Sequence, residues 1–166
     1  LLELLEQAAG DSMDETVYDK MLSDLEQARK MVYVTDNCGE VVCDKLVVEE
    51  LKKRFPLLEL TVLVRGEPAL NDATREDAVQ TGLDKAARIV DNGCGVAGTP
   101  LDYVGEEARG LLKEADVILA KGQGNFETMH GCGLNVYYSF LCKCDWFQKR
   151  FGMEKNKGMF VRERSS

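Results

Sequence analysis

The chain has 166 residues, 45% of them apolar and 30% charged, with 15 Gly and only 3 Pro; this usage fits one globular domain and excludes collagen-like, low-complexity and disordered classes. Asp and Glu number 29 against 21 Lys and Arg, a formal charge of -8, so the overall field repels phosphate backbones and nucleic acid is not expected as a partner. No apolar run nears the ~18 residues that span a bilayer, so no membrane partner is expected, and 6 cysteines without a C-x-x-C pair read as reduced thiols of a cytoplasmic protein.

Residues 1–30 read as an N-terminal helical appendage, with Val17, Met21, Leu22, Leu25 and Ala28 at three- and four-residue spacing. The opening LLELLEQAAG has neither an initiator Met nor a signal-peptide pattern, and the expectation is a native chain that begins upstream. From Met31 to Ser166 the rhythm is that of an α/β domain. MVYVT (31–35) is the first strand, followed by a helix near 40–55 whose apolar face is Val42, Leu46, Val47, Leu51 and Phe55. LTVLVR (60–65) is the second strand, and TREDAVQTG (74–82) a helix with Thr74 as N-cap and Asp77 in its first turn. ARIVD (87–91) is the third strand, after which Thr99-Pro100 opens a helix to about Ala115, with Thr at N-cap and Pro at N1. DVILAK (116–121) and NVYYSFL (135–141) follow as strands, then a short helix around 145–151 and a last strand, GMFVRE (158–163). Strands alternating with helices specify a three-layer α/β/α fold with a mainly parallel, Rossmann-like sheet, because each parallel return needs a crossover. In such sheets ligands sit beyond the carboxyl ends of the strands.

Three of those ends carry polar loops: Asp36-Asn37-Cys38-Gly39-Glu40, then Arg65 through Asn71-Asp72 to Thr74, and Lys121-Gly122-Gln123-Gly124-Asn125. Either Asp-Asn pair alone would read as a turn or cap. Two such pairs at one predicted sheet edge form an oxygen-rich set suited to a hard cation. Lys121 reads either as a snorkelling strand end or as the cation of an anion site with the glycine amides. Gly93-Cys94-Gly95-Val96-Ala97-Gly98 spells G-x-G-x-x-G, but the dinucleotide fingerprint needs the helix to begin inside the motif, and here it is expected after the last Gly. A single His, His130, excludes multi-histidine zinc chemistry. On the residues alone, a dinucleotide- or S-adenosylmethionine-binding α/β enzyme and a non-catalytic fragment or interaction module both stay open.

The runs DNCGEVVCDKLVVEEL, VLVRGEPALNDATREDA, DNGCGVAGT and ADVILAKGQGNFE together resemble the damage-control phosphatase family, first catalogued as domain of unknown function eighty-nine, and most of all its prokaryotic branch. The resemblance covers roughly residues 31–163 and implies a metal-dependent phosphatase of small phosphorylated metabolites, with manganese, cobalt, nickel or magnesium as cofactor. It places the metal ligands on Asp36, Asn37 and Asp72 and the phosphate-binding cation on Lys121; Arg65, Gly122, Asn125, Glu40 and Asn71 complete the expected substrate contacts. Cys38 stands where the family has Ala, and Glu67 where it has Gly. Metal-activated water and a carboxylate nucleophile at Asp36 are equally open on sequence.

Overall fold

The computed structural model describes residues 14–142, 145, 148, 149, 152 and 157–163. Its elements are α1 (Glu15–Gln27), β1 (Lys30–Val34), a 3-10 turn (Cys38–Glu40) leading into α2 (Val41–Arg54), β2 (Glu59–Val64), α3 (Arg75–Thr81), β3 (Arg88–Asp91), α4 (Glu106–Glu114), β4 (Val117–Lys121), α5 (Gln123–Met129), β5 (Val136–Leu141) and β6 (Gly158–Arg162). The six strands form one sheet in the order β3-β2-β1-β4-β5-β6. The first five are parallel and β6 returns antiparallel to β5.

The central strands are apolar on both faces because both faces are covered. Met31 and Tyr33 of β1 point into one core with Val62 of β2 and Leu119 of β4, while Val32, Val34, Leu63 and Ile118 point into the other. Helices α1, α2 and α3 close the first core through Met21, Leu25, Val48 and Ala78; α4 and α5 close the second through Ala108, Leu112, Phe126 and Met129. This is the expected three-layer arrangement. Strand order runs outward in both directions from β1 and β4, so the topological switch point, where the crossovers diverge and leave a crevice, lies between their carboxyl ends.

Local chemistry explains where the helices start and stop. Thr74, the expected N-cap, and Asp77 of the first turn form a capping box at α3, and Gly82 ends that helix in the left-handed conformation at φ 74°. Asp14 caps α1 by accepting from the amides of Thr16 and Val17.

Three expectations need correction. The buried stripe of α2 is Val41, Asp44, Val48 and Leu51, so Val42 at 58% and Leu46 at 61% exposure lie on the solvent side. The expected apolar face was turned by one position because a charged residue, Asp44, occupies the inward stripe. Thr99-Pro100 does not open a helix: α4 starts at Glu106 after Gly105, and Pro100 O instead accepts from the amides of Tyr103 and Val104 in a turn. The run Gln123–Met129, expected as loop on account of its glycine, is helical. Most of the helix expected around 145–151 falls outside the described residues. No helix among the described residues is long and apolar enough to cross a membrane.

Candidate active site

The loop after β1 and the loop after β2 are laced together. Thr35 ends the β1 ladder, its amide donating to Leu63 O at 3.0 Å. The Cys38 amide then donates to Asn71 O at 2.8 Å and the Ala73 amide to Asp36 O at 2.7 Å. Between these bonds Asn37 and Asp72 face each other as an isolated antiparallel bridge, so two residues 35 positions apart in the numbering are paired through their backbones. A tight turn precedes Asp72, closed by its amide on Ala69 O at 2.9 Å. In that turn Leu70 takes φ 51° and is 92% exposed.

Asp36 reaches across the switch point to the end of β4. A Cβ built on Gly122 would lie 2.0 Å from the Asp36 Cγ, and Gly122 itself takes φ 84°, so this position admits no side chain. The Gly122 amide donates to Ser139 O at 2.9 Å; what Gly122 gives the site is room for the carboxylate. Asp72 is held through Oδ2, which accepts from Arg65 Nε at 2.8 Å and Nη2 at 2.7 Å and from the Gly98 amide at 3.4 Å. Arg65 is buried, and its guanidinium supports the partly buried Asp72 from the protein interior. Asn37 Oδ1 accepts from the Gly39 amide at 2.7 Å, capping the 3-10 turn.

Asp36, Asn37 and Asp72 are therefore hard oxygen donors carried by two loops that backbone pairing joins at one sheet edge. The cradle that Gly122 leaves for Asp36, and an Asp72 carboxylate engaged among the described residues through Oδ2, fit a hard divalent cation. Among the described residues no three His, Cys, Asp or Glu side chains gather as a ligand group; the fitting set is two carboxylates and a carboxamide.

Lys121 lies on the same edge and is ion-paired twice, to Glu40 Oε2 at 2.8 Å and to Asp44 Oδ1 at 3.2 Å. The same Asp44 oxygen accepts from the Tyr33 hydroxyl at 2.6 Å. Burial works against the Lys121 charge, but the carboxylates of Asp44 and Glu40 outweigh it and hold its pKa above that of an ordinary lysine. Burial first and Asp44 next push the Tyr33 phenol far up, so it remains a proton donor. Neither Tyr33 nor Asp44 was singled out from sequence. The available signal was an acid on the inward stripe of a helix, in step with Val41, Val48 and Leu51.

Other expected contacts are placed differently from one another. Asn125 is fully buried, donating to Thr35 O at 2.9 Å and Lys121 O at 2.6 Å and accepting from the Thr99 hydroxyl at 2.7 Å. It ties the ends of β1 and β4 to the loop before α4 and faces no open space. Asn71 and Glu40 are exposed. The glycine run 93–98 is a loop with no helix starting in it, and it is pressed on the site: a Cβ on Gly98 would lie 2.4 Å from Gly124 O. Glu67 sits against Gly95 of that loop, and His130 stacks on Phe126 away from the strand ends.

Residues 3–158 match the family profile described as the damage-control phosphatase ARMT1-like domain. A damage-control phosphatase of Archaeoglobus fulgidus is 39% identical over 126 residues, 75% of this chain and 43% of that protein. One of Pyrococcus horikoshii is 32% identical over the same length, 75% of this chain and 44% of that protein. The chain thus spans less than half the length of these curated relatives. The crystal structure of a DUF89 family protein from Pyrococcus horikoshii superposes with a TM-score of 0.88 at 28% identity, covering 98% of this chain and 57% of that one. With a family match across nearly its whole length and the same fold in a family member, the chain belongs to the damage-control phosphatase ARMT1-like family.

Proposed function

We propose that this chain carries the catalytic face of a phosphatase that hydrolyses small phosphorylated metabolites, such as sugar phosphates, with a divalent cation as cofactor. The observation that carries the reading is the backbone pairing that joins the Asp36-Asn37 loop to the Asp72 loop at the β1–β4 switch point, on the edge where β4 ends at Lys121. An acidic protein can take a phosphate ester only where local positive charge reverses its field. Asp36, Asn37 and Asp72 would hold manganese, cobalt, nickel or magnesium, and such an ion supplies Lewis-acid polarisation and a nucleophile at neutral pH.

The chain's own residues do the remainder. Arg65 and the Gly98 amide fix the Asp72 carboxylate, and the Gly122 cradle fixes that of Asp36, so neither needs to reorganise during turnover. Lys121 neutralises charge on the transferring phosphoryl oxygens, where positioning and electrostatics supply most of the rate. Asn125 keeps the β1 and β4 ends in register and acts through that placement. Asn71, and Glu40 once parted from Lys121, contact the hydroxyls of the rest of the substrate. The test is phosphate release from a panel of sugar phosphates and nucleotides with each of the four cations and with chelator. Turnover that needs the cation supports the reading; silence with every cation and substrate removes it.

A further inference from the structure

Lys121 is held by two carboxylates of opposite character. Asp44 is 1% exposed, belongs to the inward face of α2, and is bound by the Tyr33 hydroxyl through the same oxygen that meets Lys121. Its second oxygen, Oδ2, is buried and makes no hydrogen bond among the described residues. Among the described residues the carboxylate has only Tyr33 and Lys121 to satisfy it, and parting it from the ammonium would leave an uncompensated buried charge. Glu40 is the reverse case, on the 3-10 turn with a side chain 47% exposed, where water replaces a lost partner at little cost.

We infer that Asp44, fastened by Tyr33, is the positioning residue that fixes the Lys121 ammonium for an incoming phosphoryl group, while Glu40 is the partner the ammonium releases. An ammonium has three donors. Two face carboxylates here, and a phosphate oxygen arriving beside Glu40 meets like charge, so the half-exposed carboxylate yields and the buried one stays. On release Glu40 turns to the hydroxyls of the substrate. The inference rests on the phosphatase reading for the role of Lys121, and it adds two residues that the reading does not contain.

The experiment is a double-mutant cycle on the full chain with manganese present, read both by phosphatase kinetics and by calorimetric binding of inorganic phosphate. Asp44→Asn should lower kcat by about 30-fold and Tyr33→Phe by about 10-fold, with KM within about threefold, because the charge acts mainly on the transition state. In a Lys121→Ala background Asp44→Asn should change the residual rate by less than about twofold, since residues that act as a unit are not additive. Losses that multiply in that background overturn the inference. Should Asp44→Asn fail to fold, Tyr33→Phe serves in the same cycle. Glu40→Gln should bind inorganic phosphate at least as tightly as the parent; weaker binding overturns the release of Glu40. Phosphate binding that follows this cycle in a protein that hydrolyses nothing keeps the inference and fails the phosphatase reading. Turnover with multiplicative losses does the opposite, and a parent that does not bind phosphate overturns the inference directly.

Discussion

At the end of β4 two consecutive residues act in different ways, Lys121 by bringing charge and Gly122 by omitting a side chain. Gly122→Ala would place a methyl group within 2.0 Å of the Asp36 Cγ on a backbone at φ 84°. Asp36 must then leave its seat, and manganese affinity should fall by at least ~10-fold while far-UV ellipticity is kept; calorimetry showing affinity within threefold of the parent would contradict this. Lys121→Ala should separate the two functions. It should lower kcat by ~100-fold or more, about 3 kcal/mol, with manganese affinity nearly unchanged. If kcat/KM stays within about threefold of the parent, the lysine is only a partly buried strand end.

The capping box is the clearest case of an element written locally, and Thr74→Ala should cost about 1 kcal/mol. A thermal or urea midpoint that does not move would show that α3 is held by tertiary contacts alone. The strands were legible for the same kind of reason: MVYVT, LTVLVR and DVILAK are β-branched runs whose both faces turned out to be buried. What was not legible came from interactions that sequence periodicity does not record. Counting only apolar positions turned the face of α2, because its inward stripe contains Asp44, whose partners Tyr33 and Lys121 belong to other elements. Thr99 looked like a cap because Pro follows it, yet its hydroxyl is engaged by Asn125 across the site. The glycines of Lys121-Gly122-Gln123-Gly124 hid a helix whose glycine is needed for the close approach of Gly98. That Asp36, Asn37, Asp72 and Lys121 lie on loops of one sheet edge was legible, because strand order alone brings those loop ends together. The inward orientation of Arg65 and Asn125 was not, because it depends on packing between elements distant in sequence.

For the molecule as a whole, Asp24 links α1 to the last two strands. It accepts from the Tyr137 hydroxyl at 2.6 Å, from Asn135 at 3.2 Å and from Arg162 at 3.2 Å, and pairs with Lys20. Burial alone would raise its pKa, but Lys20, Tyr137, Asn135 and Arg162 prevail and hold the carboxyl below its ordinary value. A carboxyl lowered on folding contributes stability that is complete above its unfolded pKa, near ~3.9, and is lost as pH falls through the folded value. Asp24→Asn should therefore lower the thermal midpoint at pH 7 and flatten its fall between about pH 5 and pH 2; parallel pH curves for parent and variant would remove this assignment. The strand order has a further consequence. β3-β2-β1 and β4-β5-β6 are each assembled from neighbours in sequence, and they are joined by the β1–β4 ladder, with Asp116 clasping the amides of Arg29 and Lys30 at its far end. Asp36 belongs to one half and Gly122 with Lys121 to the other, so the proposed site straddles a seam. A partial opening along it would disable the protein before either half unravelled. Manganese binding should accordingly vanish at a lower urea concentration than helical ellipticity, and coincident transitions would mean that the halves never part on their own.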